Sequence, residues 1–331
     1  MKKLKFLSFI LIFSVLAANV PLIYANALSN PPIQSKAVVL MDAATGNILF
    51  SKNGDEKVYP ASTTKIMTVL LAVEAIEAGK AALSDKVTAG SNITADLSED
   101  GSTSGIVPGE TMTLENLLYC AMLSSANEAC NIIADHIGGS METFVGMMNS
   151  RAQELGCTGT HFANTHGLPN SNHYTTANDL AKIAREAYSH PLFMEICNTA
   201  EKTIPATNMS DERKLQNTNG LINKNSELYQ GYYYEYAKGI KTGHTNDAGY
   251  CLVSSASKND INLLCVVMGG QAIKKTNSTQ YTNFTDSIEV YNWAFENYSY
   301  RDILETTDLV KDIPVKMGKD AEYELSDRRT P

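Results

Sequence analysis

Three short stretches of this sequence bring together residue types that can do nucleophilic chemistry. The first is Ser62-Thr63-Thr64-Lys65, a hydroxyl and an amine three residues apart. On a helix, positions i and i+3 share a face, so the two groups can meet. A lysine entering the N-terminal end of a buried helix is desolvated and faces the positive end of the helix dipole. Both effects disfavour the ammonium, and a neutral amine is the base that a serine nucleophile needs. Read alone, the pattern describes a helix cap followed by a surface lysine more readily than a catalytic pair. The same pattern recurs at Ser255-Ala256-Ser257-Lys258. That segment reads as a strand, where i and i+3 point to opposite faces, so only Ser62 and Lys65 qualify.

The second stretch is Ser125-Ala126-Asn127, between two apolar helical patterns. A hydroxyl and a carboxamide two residues apart in a bend can face one cleft, one passing a proton and the other holding a substrate amide. By itself it is also an ordinary helix cap. The third is Lys241-Thr242-Gly243, placed just before a strand that begins near Tyr250. A lysine and a hydroxyl beside a glycine, where backbone can approach a ligand closely, make a carboxylate-binding edge. A plain turn ahead of a strand accounts for it equally well.

These residues need a scaffold. Residues 37–50 read as a hairpin, with β-prone Val38-Val39-Leu40-Met41 and Ile48-Leu49-Phe50 around the turn Ala44-Thr45-Gly46-Asn47. Ser62 to Ala78 is apolar on nearly every face and stops at Gly79, which describes a buried helix starting at the nucleophile. Residues 86–110 are polar and Gly/Ser-containing, and read as a long surface loop. Helices follow from Thr113 to Leu123, Asn127 to Ile137, Ser140 to Gly156, and Thr176 to Tyr188, the last with a capping-box-like start. Tyr250–Ser255 and Ile261–Met268 are strand-like, and a helix from Thr282 to Glu296 carries Trp293. Strands at both ends with helices between them predict an α/β fold, an α+β sandwich. In it the N-terminal hairpin joins the late strands in one antiparallel sheet flanked by helices. From residue 299 the chain turns polar with short alternating stretches, which predicts an incomplete C-terminal β-type domain over 299–331.

Composition bounds the function. The 331 residues are 44% hydrophobic and 19% charged, as in a globular protein with a sizeable core. Lys2, Lys3 and Lys5, the apolar run Phe6 to Val20, and Ala25-Asn26-Ala27 read as a signal peptide over 1–27. Its removal takes away three lysines and no acid, deepening the net charge from −9 to −12. Such a charge repels nucleic acid and anionic lipid. The signal peptide predicts an exported chain, extracellular, in the cell wall or on the outer face of the cytoplasmic membrane. Cys120, Cys130, Cys157, Cys197, Cys251 and Cys265 form no C-x-x-C pair and mostly lie in apolar runs, so they read as buried free thiols. A Cys251–Cys265 bridge stays open if their strands pair.

Taken together and in this order, the three stretches resemble the signature of penicillin-binding proteins and class A β-lactamases, with alanine at the middle of the second. Further stretches narrow the resemblance to the serine-type D-alanyl-D-alanine carboxypeptidases of low molecular mass. These are Pro60-Ala61-Ser62-Thr63-Thr64-Lys65-Ile66-Met67-Thr68, Gly239-Ile240-Lys241-Thr242-Gly243-His244-Thr245, and His161-Phe162 through His166-Gly167-Leu168 to Asp179-Leu180-Ala181. The resemblance covers about residues 37–298. It implies a transpeptidase-like catalytic domain over 28–298, a small β domain, and often a C-terminal membrane anchor, which this sequence does not reach.

The resemblance also implies roles. Ser62 attacks the penultimate D-alanine carbonyl of a peptidoglycan stem peptide, and Lys65 takes its proton. Ser125 relays a proton to the departing D-alanine, and Asn127 holds the peptide. Lys241 and Thr242 bind the terminal carboxylate beside Gly243, with Lys241 keeping Lys65 neutral by repulsion. The backbone N–H groups of Ser62 and His244 form an oxyanion hole, each donor worth about 3–4 kcal/mol. β-Lactams are implied as covalent inhibitors, and no metal or other cofactor is called for.

His161, His166 and His173 match no standard zinc spacing and read as structural. Tyr229 to Tyr236 either flank the cleft or pack as a surface loop. A β-lactamase of class A needs a further glutamate, and Phe162-Ala163-Asn164 offers no acid there. A transpeptidase or endopeptidase on the same fold, and a non-catalytic peptidoglycan-binding module, are the other readings. The intact Ser62, Lys65, Ser125, Asn127 and Lys241 disfavour the last.

Overall fold

A computed structural model describes residues 29–98, 100–226 and 228–300, and the backbone of two short strands near the C-terminus. The expected signal peptide and most of 299–331 lie outside the described residues.

The sheet grows from the most apolar runs. Strands β1 (Ala37–Asp42) and β2 (Ile48–Lys52) form the expected hairpin. Two short antiparallel pairs come next: β3 (Lys86–Thr88) with β4 (Thr111–Thr113), and β5 (Glu201–Ile204) with β6 (Arg213–Gln216). The long strands β7 (Ala237–Thr245), β8 (Gly249–Lys258) and β9 (Ile261–Gly270) complete a five-stranded antiparallel sheet in the order β2-β1-β9-β8-β7. A small pair, β10 (Ala272–Lys274) with β11 (Thr279–Tyr281), follows. Near the C-terminus β12 (Asp312–Pro314) pairs with β13 (Glu322–Glu324).

Both faces of the sheet are covered, so β1 and β9 are apolar at nearly every position rather than alternating. Val39, Met41, Leu264 and Val266 point to one core. There they meet α1 (Lys65–Glu77), α2 (Leu114–Met122), α3 (Asn127–Gly138), α4 (Met141–Glu154), α5 (Ala177–Tyr188) and α6 (Pro191–Cys197). Val38, Leu40, Leu263 and Cys265 point the other way, against Val290, Tyr291 and Ala294 of α7 (Thr282–Asn297). Helix α1 runs through the larger core and is buried from Lys65 to Val73, which explains its lack of a polar face. No helix among the described residues is long and apolar enough to cross a membrane.

Three expectations change. The buried helix does not begin at Ser62. A 3-10 turn, Ala61–Thr64, comes first and α1 starts at Lys65. Lys241-Thr242-Gly243 lies within β7, not ahead of a strand. The surface loop at 86–110 opens with β3, which pairs with β4 just beyond its end. The cysteines meet the expectation of buried free thiols, all six being free and buried, and only the open Cys251–Cys265 bridge drops out. Cys251 faces the core of α1 and Cys265 the core of α7, so the sheet itself separates them.

Candidate active site

Ser62 sits in the 3-10 turn, wedged between β7 and the segment 164–169. In a 3-10 turn residues i and i+3 eclipse one another. Lys65 Nζ accordingly lies 2.9 Å from Ser62 Oγ. Glycines let the turn pack this closely. Gly243 of β7 has no room for a side chain, since a Cβ there would lie 2.9 Å from the Ser62 amide nitrogen. Gly167 has φ +95°, and its Cβ would fall 1.8 Å from the Ala61 carbonyl oxygen. Ala61 itself has φ +48°, an uncommon conformation for a residue with a Cβ, immediately before Ser62.

Lys65 is fully buried and has three polar neighbours: Ser62 Oγ, Asn127 Oδ1 at 2.8 Å, and the His166 carbonyl oxygen at 2.8 Å. The two carbonyl oxygens can only accept. When the lysine is a neutral amine, its two hydrogens satisfy them and its lone pair is left facing Ser62. Burial pushes the Lys65 pKa down to about 8, against the opposing influence of Cys130 and Glu128. The neutral amine would therefore present its lone pair to the Ser62 hydroxyl. Lys241 is buried as well, and burial followed by the Lys65 charge drives it well below the ordinary lysine range. The repulsion expected to neutralise Lys65 thus falls on Lys241, and for Lys65 the leading cause is burial.

The bend between α2 and α3 carries the second motif. Asn127 N–H donates to the Ser102 carbonyl and Ala126 N–H to that of Cys120, which fixes the bend. Ser125 adopts φ +61°, and its Oγ is buried without a hydrogen-bond partner among the described residues. An unpaired buried hydroxyl costs about 1–3 kcal/mol, so its position calls for a ligand or a transient partner. Asn127 spends Oδ1 on Lys65, which leaves its amide nitrogen for a carbonyl in the cleft.

The third motif forms the opposite wall. Strand alternation turns Thr242 towards the cleft and Lys241 inward behind it. Thr242 Oγ1 shares a 2.6 Å hydrogen bond with Thr218 Oγ1. An anion at this wall would meet these two hydroxyls first, with Lys241 behind them. His244 is exposed and stacks on Tyr250, ring centroids 4.1 Å apart.

The cleft between these walls has a volume of about 590 Å³ and is lined by Ser62, Ser125, Asn127, Thr242, Gly243 and His244. It thus gathers every residue singled out in the sequence except the two lysines, which lie just beneath its surface. Sequence reading missed Thr218, Ser98, Asp100, Gly101, Ser102, Leu168-Pro169 and Asp247, all of which line it too. The tyrosine-rich segment divides. Tyr229 lines the cleft, whereas Tyr232 and Tyr234 pack on Phe284 and Tyr291 of α7.

The histidines have separate structural tasks. His173 Nδ1 accepts the Ala163 N–H at 2.9 Å, and Thr64 Oγ1 donates to the Ala61 carbonyl. His173 Nε2 must then carry the hydrogen shared with Thr64 at 2.7 Å. Burial, with nearby positive charge, pushes its pKa down to about 3, consistent with that neutral tautomer. His166 pairs with Asp96 at 2.9 Å and steadies the carbonyl that holds Lys65. His161 bonds the Asn172 carbonyl. The decoy Ser255 donates to the Lys238 carbonyl, while Lys258 lies over the Tyr236 ring. Glu74, Glu186 and His190 approach metal-ligand spacing, but Arg151 bridges the two carboxylates at 2.7 and 2.5 Å as an ion-pair network.

Comparison with known proteins gives consistent matches. The family model described as D-alanyl-D-alanine carboxypeptidase matches residues 24–272. The chain is 36% identical over 293 residues to D-alanyl-D-alanine carboxypeptidase DacF of Bacillus subtilis, covering 88% of this chain and 70% of that protein. It is 33% identical to DacA of Escherichia coli K12, covering 88% and 65%. Among solved structures it resembles penicillin binding protein 5 from Haemophilus influenzae, with TM-score 0.75, 30% identity, and coverage of 91% and 82%. It also resembles the Streptomyces K15 DD-transpeptidase, with TM-score 0.71, 29% identity, and coverage of 81% and 99%. The chain spans about two thirds of the length of these curated relatives.

Proposed function

The chain belongs to the D-alanyl-D-alanine carboxypeptidase family, and from that premise we propose that it removes the terminal D-alanine of peptidoglycan stem peptides through an acyl-enzyme on Ser62. The observation that carries this reading is the three-way hold on Lys65, which points an amine lone pair at Ser62 Oγ.

The steps follow from the site. The Ser62 proton passes to Lys65 as Oγ bonds to the penultimate D-alanine carbonyl carbon. The backbone N–H groups of Ser62 and His244 receive the oxyanion. Asn127 donates to the peptide carbonyl upstream, and Thr242 with Thr218 takes the terminal carboxylate, backed by Lys241. Collapse breaks the peptide bond as Ser125 gives its proton to the departing amine and takes one from protonated Lys65, which returns the lysine to its neutral form. Water then attacks the ester, with Lys65 again as base. We assign water as the acceptor on the carboxypeptidase relatives. β-Lactams, whose ring carbonyl mimics the scissile one, acylate the same serine. Peptidoglycan lies outside the cytoplasmic membrane, so the protein is exported.

Mass spectrometry after mixing with penicillin tests the reading. The expected result is one adduct on Ser62 that persists, together with release of one D-alanine from a D-Ala-D-Ala peptide. Ser62→Ala should abolish both. Labelling that survives this substitution assigns the wrong serine, and a rapidly vanishing adduct indicates a β-lactamase. Exchange of D-alanine for an added amine instead of its hydrolysis would make the chain a transpeptidase.

A further inference from the structure

The cleft does not end at the catalytic residues. Asp247, on the turn joining β7 to β8, also lines a second hollow of about 310 Å³. The two spaces differ in charge. Among the described residues, the charged ones lining the catalytic cleft are Asp100 and Asp247. The neighbouring hollow adds Lys57 and Lys36. Lys36 is engaged by Glu56 at 2.7 Å. Lys57 makes no ion pair among the described residues and rests its ammonium 4.1 Å over the Tyr174 ring. Asp247 likewise has no ion-pair partner among them.

Lys57 is held in place. Val58 and Thr175 exchange backbone hydrogen bonds of 2.9 Å, which fixes Lys57 beside Tyr174. Tyr59, another lining residue, is three residues from Ser62, a contour of at most about 11 Å. The hollow therefore lies within reach of a substrate residue immediately upstream of the attacked D-alanine.

We propose that Asp247 and Lys57 form a subsite for a third stem-peptide residue whose side chain ends in both an ammonium and a carboxylate, as in 2,6-diaminopimelate. Asp247 receives the ammonium, and Lys57, steadied by the Tyr174 ring, receives the carboxylate. A lysine side chain satisfies only the first. An amidated diaminopimelate likewise loses the second charge, so discrimination is a difference of two contacts. The inference rests on the Ser62 reading, because it orients the peptide from the acylated carbonyl.

The test uses the whole protein and three synthetic pentapeptides ending in D-Ala-D-Ala. Their third residues are lysine, diaminopimelate, or diaminopimelate amidated on its side-chain carboxylate. D-Alanine release is expected to show kcat/KM at least tenfold higher for free diaminopimelate than for the other two. Lys57→Met should remove that advantage, lowering the diaminopimelate value at least fivefold more than the lysine value. Equal kcat/KM for all three peptides, or a proportional loss on all three in Lys57→Met, overturns the subsite while penicillin labelling of Ser62 leaves the enzyme reading intact. Failure of both labelling and D-alanine release overturns the enzyme reading instead.

Discussion

Gly167→Ala puts a methyl group where the nucleophile turn already is. The new Cβ would lie 1.8 Å from the Ala61 carbonyl oxygen and 2.9 Å from Thr64 Oγ1. Contacts below about 3.0 Å are essentially never seen, so the backbone must separate by about 1.2 Å. The φ of +95° adds a left-handed cost of about 1–2 kcal/mol for a residue with a Cβ. The nearest partner is the Ala61 backbone, so the strain goes into the 61–64 turn or the 164–169 segment. The first carries Ser62 and the second carries the carbonyl that holds Lys65. A displacement of about 1 Å between reacting groups can lower a rate by about 10²-fold. Penicillin acylation, followed by stopped-flow with a fluorescent β-lactam, should therefore slow about 10²-fold in a protein that still folds. Gly79→Ala is the control. Gly79 also has positive φ, +68°, but a Cβ there meets nothing within 4 Å. It should lose about 1 kcal/mol of stability and acylate normally. Acylation by Gly167→Ala within threefold of the parent would refute the idea that this glycine sets the nucleophile's position.

Other consequences of the site are open to measurement. Because burial brings the Lys65 pKa to about 8, the active amine accumulates as pH rises through that value. Acylation should climb with pH across this range and then level, and a flat profile would mean that Lys65 is not the base. Ser125→Ala removes a hydroxyl that bonds to nothing in the described structure. It should slow turnover about 10²-fold or more while leaving stability unchanged or raising it by about 1 kcal/mol. Stability loss without a rate effect would mean a packing role. The six buried thiols should ignore a thiol reagent in the native protein and all react after denaturation. Fast native labelling of any of them would contradict the core packing.

The chemistry was more legible than the strand carrying it. Ser62, Lys65, Ser125, Asn127 and Thr242 are side chains with functional types at fixed spacings, which sequence displays directly. Strand β7 contains two glycines and two lysines in Ala237–Thr245 and has no apolar run to announce it. It is a strand because β8 pairs with it, a tertiary cause that local propensity does not register. Strands β3 and β4 are three residues each, too short for a period-two pattern to emerge. The His166 carbonyl was invisible for a different reason: every residue has a carbonyl, so no residue type marks the one that holds Lys65. Thr218 sits in a polar turn, and nothing local distinguishes it from other polar turns until Thr242 is seen beside it.

The sheet order has a consequence for how the chain acquires its shape. Strand β1, near the start of the described residues, lies between β2 and β9, and Ala37 is paired with Met268. The Ser35 amide is bonded still further on, to Asp286 at 2.6 Å. The centre of the sheet is thus closed by a loop of more than two hundred residues, and loop-closure entropy must be met before that contact rewards it. Such a high contact order makes folding slow compared with helical domains of similar size. A ribosome releasing the chain from its N-terminus would expose β1 and the whole of α1 long before β9 exists to cover them. Until β9 arrives, Ser62 and Lys65 are on the chain but the sheet behind the candidate site is incomplete.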